Sequence, residues 1–184
     1  MAQVSANRKR IIHGPAMLPE GYAHWMIKFP SAQDDATAGA TEYAYSLMAR
    51  AAGIAMPQTH LFTAKKKRYF GIERFDRDGD RRIHMHSLAG LLHADHRTSS
   101  LDYDALLKAT QILTKDATEV ERAFRLACFN VLGQNRDDHA KNISFLLDDA
   151  TGQWTLAPAY DLTFSSGPGG EQSMMVMGEG KSPG

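Results

Sequence analysis

The sequence predicts an α+β fold, because extended and helical stretches are segregated along the chain rather than strictly alternating. Three observations carry this. Aromatic and β-branched runs dominate the first part, helical apolar spacing takes over after Arg82, and a second pair of short extended runs follows Gly133. Taken in order, residues 22–29 (YAHWMIKF), bounded by Gly21 and Pro30, read as a strand. A helix over 37–50 follows, with Tyr43, Leu47 and Ala51 recurring at i, i+4, i+8 and Gly53 as the stop. Runs 59–64 and 69–75 flank Lys65-Lys66-Lys67-Arg68 and read as a hairpin with a solvated, charged turn. His84 and His86 alternate on a short strand-like segment without the partners of a zinc site. Helices are expected over 101–113 and 116–133. In the second, Val120, Phe124, Ala127, Cys128 and Val131 form the inward stripe, and Thr118 with Glu121 forms a capping box. The runs 143–147 and 154–157 make a second hairpin, whose ends bring the loops 135–142 and 159–164 to one cleft. The tail from 165 to 184 is Gly-, Ser- and Met-rich, its methionines serving packing or a partner rather than a metal.

The chain of 184 residues is long enough for one compact domain or two small lobes sharing a cleft. Its 21 basic residues equal its 21 acidic ones, so no overall field draws it to a polyanion, and a direct nucleic-acid function is disfavoured despite the basic runs at 8–10 and 65–68. The lone Cys128 has no disulfide or metal-cluster partner and is expected as a buried small hydrophobe, which points to a reducing, cytoplasmic setting. No apolar run approaches the ~18 residues of a membrane helix, so no membrane role is expected.

Chemistry concentrates in Asn135-Arg136-Asp137-Asp138-His139-Ala140-Lys141-Asn142. Phosphoryl-transfer enzymes of the protein-kinase kind carry His-Arg-Asp, four residues, then Asn, and only the leading His is replaced here. Asp137 then orients or accepts the proton of the attacking hydroxyl, and Asn142 reaches a magnesium ion. Mg²⁺ needs a second hard oxygen, and Asp161, beyond the hairpin in Tyr160-Asp161-Leu162, is placed to supply it. A phosphate-binding cation should come from an earlier strand. Lys28 is a charge set among apolar strand residues, and Glu42 on the following helix is its candidate partner.

The strings GATEYAYSLMARAAGIAMPQTHLF, YFGIERFDR, NRDDHAKNISFLL and LAPAYDLTF resemble the HipA-type serine/threonine kinases, toxins of bacterial toxin–antitoxin modules, over about residues 22–180. The resemblance implies a two-lobed, protein-kinase-like fold in a single domain. Its small β-rich lobe covers about 1–76, and a mostly helical, partial second lobe with the catalytic hairpin covers about 77–184. It implies Asp137 as catalytic base, Asn142 and Asp161 as Mg²⁺ ligands, and Lys28 on the ATP phosphates. His139, Lys141, Asn142, Tyr160 and Asp161 would lie against the nucleotide, with Glu73-Arg74-Phe75 as the hinge that meets adenine. The implied substrate is a protein serine, an aminoacyl-tRNA synthetase being the type of target, and the implied partner is a HipB-like helix-turn-helix antitoxin that carries the DNA binding. Growth arrest is the implied outcome.

Two departures stand against that pattern. Where the family carries a Gly-rich phosphate loop, often G-G-A-R-P-K, this chain reads Ser5-Ala6-Asn7-Arg8-Lys9-Arg10, so a side-chain-free cradle is replaced by point charges. The family's amino-terminal subdomain and later carboxy-terminal helices have no counterpart. These departures support an alternative reading, a shortened module that binds an antitoxin or partner and transfers phosphate weakly or not at all. Retention of Asp137, Asn142 and Asp161 supports the kinase.

Overall fold

The computed structural model describes residues 2–14, 17–30, 35–65, 67–94 and 101–181. Its first part is an antiparallel sheet of β1 (Ala2–Ser5), β2 (Ile11–His13), β3 (Tyr22–Ile27), β4 (Thr59–Ala64) and β5 (Lys67–Glu73), in the order β2-β1-β3-β5-β4. The β1–β2 hairpin leaves no mark on the sequence pattern, because a three-residue strand has no periodicity to recognise. The β4–β5 ladder runs to Ala64↔Lys67, which shortens the expected turn to two residues. Of these, Lys65 has φ 47° and Lys66 lies outside the described residues.

Side chains of a strand alternate between faces, so Trp25 paired with Glu73 and Met26 paired with Ile72 divide the sheet. On the Trp25 face, Val4, Trp25 and Phe62 form a small buried cluster, with the Trp25 and Phe62 rings edge-to-face at 5.9 Å. Gly71 makes this possible, since a Cβ there would stand 2.4 Å from the Phe62 ring.

The opposite face takes α1 (Ala38–Ala51), laid close because a Cβ on Gly39 would lie only 3.1 Å from the β5 backbone. The inward residues of α1 are Glu42, Ser46 and Ala49, not the expected Tyr43, Leu47 and Ala51. The helix is rotated by polar demands: Glu42 pairs with Lys28, and Ser46 Oγ sits 2.8 Å from Thr59 Oγ1 on β4.

A short ribbon, β6 (Arg77–Asp78) and β7 (Arg81–Arg82), leads to β8 (His84–Ser87), the single turn α2 (Leu88–Leu91), then α3 (Tyr103–Thr114) and α4 (Ala117–Leu132). The helix cap is Asp116, whose carboxylate accepts from Thr118 N–H. The Thr118–Glu121 capping box does not form. The expected stripe holds only in part: Ala127 is buried and Val131 packs against the core, but Phe124 is 57% exposed and Cys128 only half-buried, while Glu119, Ala123, Leu126 and Asn130 also turn inward. Glu119 explains the shift: its carboxylate accepts from Leu156 N–H at 2.6 Å and so turns inward.

The second hairpin, β9 (Ser144–Leu147) and β10 (Trp154–Leu156), is extended by β8 into a three-stranded sheet. The tail is ordered as β11 (Glu171–Val176) and β12 (Glu179–Lys181), a hairpin that buries Met174 completely. Leu88, Leu106, Ala123, Phe145 and Met174 belong to the main core.

Candidate active site

Local chain geometry places Lys28 one residue beyond β3, its N–H still bonded to Phe70 O at 2.9 Å. Its ammonium lies 2.7 Å from Glu42 on α1 and also pairs with Asp161, so three segments far apart in sequence meet at one cation. Burial alone would lower the Lys28 ammonium, but the two carboxylates outweigh it and hold it above the usual lysine value. Burial raises the Glu42 carboxyl, with Lys28 opposing. Asp161 adopts a left-handed backbone (φ 58°), sparsely populated by residues other than glycine and most tolerable for Asp and Asn.

This ion cluster stands at the edge of a cavity of about 260 Å³. Met26, Ile72 and Met85 supply apolar wall, and the segment Glu73-Arg74-Phe75 with Tyr160 forms its rim. The Phe75 and Tyr160 rings lie 5.6 Å apart and tilted by 37°. Arg74 is braced by Asp76, which accepts from its Nε and Nη2 and from Arg77 Nη1. Burial would raise Asp76, but Arg74 and Arg77 hold it below the usual carboxylate range. The backbone N–H groups of Glu73 and Arg74 are occupied, donating to Gln58 O and His24 O, so neither is a donor for a base in the cavity.

Asp137, His139, Lys141 and Asn142 form a separate tight turn outside the cavity lining. Asn142 Nδ2 donates to Asp137 O at 3.1 Å, Asn142 N–H donates to His139 O at 2.8 Å, and His139 Nε2 stands 3.8 Å from the Asp137 carboxylate. The Asp137 side chain is 60% exposed and open to a reactant. One link joins turn and cavity: the Tyr160 hydroxyl donates to Lys141 O at 2.8 Å, with Ser144 Oγ 2.6 Å from it. Burial raises the Tyr160 phenol, so it stays a donor.

Among the described residues no cluster of three or more His, Cys, Asp and Glu side chains could hold a metal. In donor chemistry alone, Asn142 and Asp161 suit a hard cation that also takes phosphate oxygens and water. Asn142 spends its amide nitrogen on Asp137 O, leaving Oδ1, and Asp161 spends Oδ1 on Lys28, leaving Oδ2. At the place of the expected phosphate loop, the turn between β1 and β2 satisfies itself instead. Ala6, Arg8, Lys9 and Arg10 all donate their amides to Gly21 O, Ser5 O, Asn7 Oδ1 and Ser5 Oγ. Arg8, at φ 59°, turns to Gln58, with 2.5 Å between Nη2 and Oε1.

The family of the HipA-like C-terminal domain matches residues 3–184, nearly the whole chain. The chain belongs to that family. No curated protein matches it. Among solved structures, this HipA-like domain is similar to HipA of Shewanella oneidensis MR-1, a toxin–antitoxin protein solved with HipB and its operator DNA. The TM-score is 0.71 at 17% identity, over 86% of this chain and 42% of that one. It is also similar to the Helicobacter pylori proinflammatory kinase CtkA, with a TM-score of 0.53 at 19% identity, over 74% of this chain and 50% of that one. The domain thus spans half or less of the length of either structure. Both share its mixed helix and sheet fold.

Sequence reasoning missed the group that holds the Asp137 turn. Asp138 is completely buried, accepting from the Tyr103 hydroxyl and from the backbone N–H groups of Ser173 (2.9 Å) and Met174 (3.1 Å). Tyr103 in turn accepts from Asn130 Nδ2 at 2.9 Å, and Asn130 Oδ1 accepts from Asn135 at 3.0 Å. Burial raises the Asp138 carboxyl while Tyr103 and the two amides of β11 oppose it. Within a polar octet the second Asp looks no different from the first. Only the inward Asn130 on α4, a polar residue in an apolar period, hinted at a buried network.

Proposed function

We propose that this HipA-like domain is an ATP-dependent serine/threonine protein kinase that moves the γ-phosphoryl of ATP to a protein serine. The observation that carries the reading is the meeting of Lys28, Glu42 and Asp161 at the edge of an apolar cavity rimmed by Glu73-Arg74-Phe75, with the Asp137–Asn142 turn hitched to it through Tyr160. In the kinase template, a strand lysine paired with a helix glutamate meets nucleotide phosphates, and an Asp and an Asn hold the metal. Lys28 and Glu42 take the first roles, Asp161 and Asn142 the second.

When bound, Mg²⁺-ATP would supply the phosphoryl group, and the metal's charge would offset the charge that develops on it. The chain's own part is to seat the base among Met26, Ile72 and Met85, with the rims at Phe75 and Tyr160, while His139 and Lys141 flank the phosphates. Asp137 Oδ takes the proton of the serine hydroxyl as the serine oxygen bonds to the γ-phosphorus and the bond to the β–γ bridging oxygen breaks, ADP leaving with that electron pair. With the amides of Glu73 and Arg74 already bonded, adenine meets the Phe75 end of the hinge or its carbonyls. The sheet with α1, about residues 1–76, acts as one lobe and the remainder as the other. The domain works in the cytoplasm on a protein substrate of the aminoacyl-tRNA synthetase kind, and a HipB-like antitoxin restrains it.

The test is the thermal midpoint with and without millimolar Mg²⁺-ATP, alongside Asp161→Asn. A ligand at ~100 times its Kd adds about 2.7 kcal/mol to the folded state, or roughly 5–10 °C for a chain of this size. A rise lost in the variant supports the reading. No rise from a cooperatively folding chain refutes it and leaves a partner-binding module.

A further inference from the structure

The segment that follows Asp161 returns across the Asp137 turn. Ser165 N–H donates to Gln134 O at 3.1 Å, Ser165 bridges Asn135, and Ser173 donates through both N–H and Oγ to Arg136 O. Arg136 lies beneath this crossing. A Cβ on Gly167 would stand 2.8 Å from Arg136 Cβ, the Cβ position of Gly170 is 3.7 Å from Arg136 Nη1, and that nitrogen donates to Ser166 O at 3.2 Å. No carboxylate pairs with the Arg136 guanidinium among the described residues, where Arg122, Arg125, Arg74 and Arg77 each have one. A half-buried guanidinium held by a single neutral carbonyl has most of its donors and its whole charge unspent.

Three serine hydroxyls lie along the crossing, and their surroundings differ. Ser173 Oγ is spent on Arg136 O, and Ser165 Oγ accepts from Gly167 N–H at 3.2 Å. Ser166 is exposed, its hydroxyl makes no hydrogen bond among the described residues, and it sits on the residue whose carbonyl Arg136 already grips. We propose that Ser166 is a phosphorylation site and that Arg136 is the residue that reads the phosphoserine. The acceptor oxygen bonds to the γ-phosphorus of a nucleoside triphosphate as the bond to the β–γ bridging oxygen breaks. The diphosphate departs with that electron pair, and the hydroxyl proton passes to a carboxylate base or water.

A phosphoserine there is a dianion with three acceptor oxygens, matched to the planar fork of an arginine. Its docking clamps the segment after Asp161 onto the turn that carries Asp137 and Asn142, converting one neutral hydrogen bond into a charge-assisted pair without moving the backbone. The source of the phosphoryl group rests on the phosphotransfer reading above, through a second copy of the chain acting as kinase. Recognition by Arg136 does not rest on it.

The experiment therefore installs the modification without catalysis, by genetically encoded phosphoserine at position 166 in the full chain. The expected result is a thermal midpoint raised by at least ~3 °C at low ionic strength, reduced at roughly 0.5 M salt and abolished in Arg136→Gln. Phosphorus NMR gives a second reading that needs no variant: the phosphoserine titrates below its ordinary second pKa of about 6 in the folded protein and returns to it on unfolding. An unchanged midpoint, a rise that survives Arg136→Gln, or an ordinary phosphate titration in the folded chain would each overturn the site. Loss of the Mg²⁺-ATP response would instead strike the kinase reading, so the two failures are told apart.

Discussion

Replacing Tyr103 with Phe removes one oxygen from the buried network behind the Asp137 turn and leaves the ring volume, so no cavity confounds the result. Two hydrogen bonds disappear: the one that the hydroxyl donates to Asp138, and the one it accepts from Asn130 Nδ2. The first is to an ionisable carboxyl and both are buried, so the loss is about 2–3 kcal/mol, which is roughly 5–10 °C in thermal midpoint for a chain of this length. The sign of the pH dependence follows from burial, which already holds the Asp138 carboxyl above its usual range, with Tyr103 among the groups pulling it back. A carboxyl raised in the folded state favours folding below its ordinary pKa, and this contribution fades as pH rises through the folded value. Without Tyr103 the folded value rises further, so the gap between wild type and variant is smaller near pH ~5 and wider near pH ~8. Melts monitored by circular dichroism at both pH values measure it. A loss under ~1 kcal/mol, or one equal at both pH values, would refute the assignment of Tyr103 as a donor to a buried carboxylate.

Other consequences are as direct. Asp137→Ala should lower phosphate transfer by more than ~100-fold while keeping the Mg²⁺-ATP thermal shift, because the side chain contributes a base and not a nucleotide contact; parallel loss of both would contradict its role. Gly71→Ala should cost ~1–3 kcal/mol, since the added Cβ meets the Phe62 ring and forces it off Trp25; chemical denaturation reads it, and a neutral result would show that the ring has room to move. Asp76→Asn should flatten the acid limb of the stability curve. Arg74 and Arg77 depress the Asp76 carboxyl, so its contribution is present above the ordinary carboxylate range and is lost as pH falls through the depressed value. An unchanged limb between pH ~2 and ~5 would count against it.

The β1–β2 turn bears on how this domain would hold a triphosphate. A phosphate loop works by presenting free backbone amides, and here Asn7 Oδ1 and Ser5 Oγ take the amides of Lys9 and Arg10. Asn and Ser side chains readily make such local bonds, which is why they replace glycine in a self-contained turn. On the proposed kinase reading, a nucleotide at Lys28 would be held chiefly by the ion cluster and the apolar cavity beneath the sheet.

The sequence by itself determined the element types with a strong local period: the strand leading to Lys28, the α1 and α4 helices, both sequence-visible hairpins, and the spacing that sets Asp137 five residues before Asn142. Those are short-range properties, written in neighbouring residues. The match to the HipA-like family over residues 3–184 is likewise a property of the linear chain. Tertiary structure decided whatever depends on a partner distant in sequence. Glu42 and Glu119 turned their helices away from the apolar stripes because each carboxylate had a fixed partner, on Lys28 and on Leu156 N–H. The short β1 and β2 strands exist through pairing with each other and, for β1, with β3, and the tail hairpin through bonds to Leu101, Asp102 and Arg136. Asp137 and Asp138 are identical and adjacent in the sequence, yet one is open to solvent and the other fully buried. Burial is a property of the surroundings, and the surroundings of Asp138 come from α3, α4 and β11, which meet only in the folded chain.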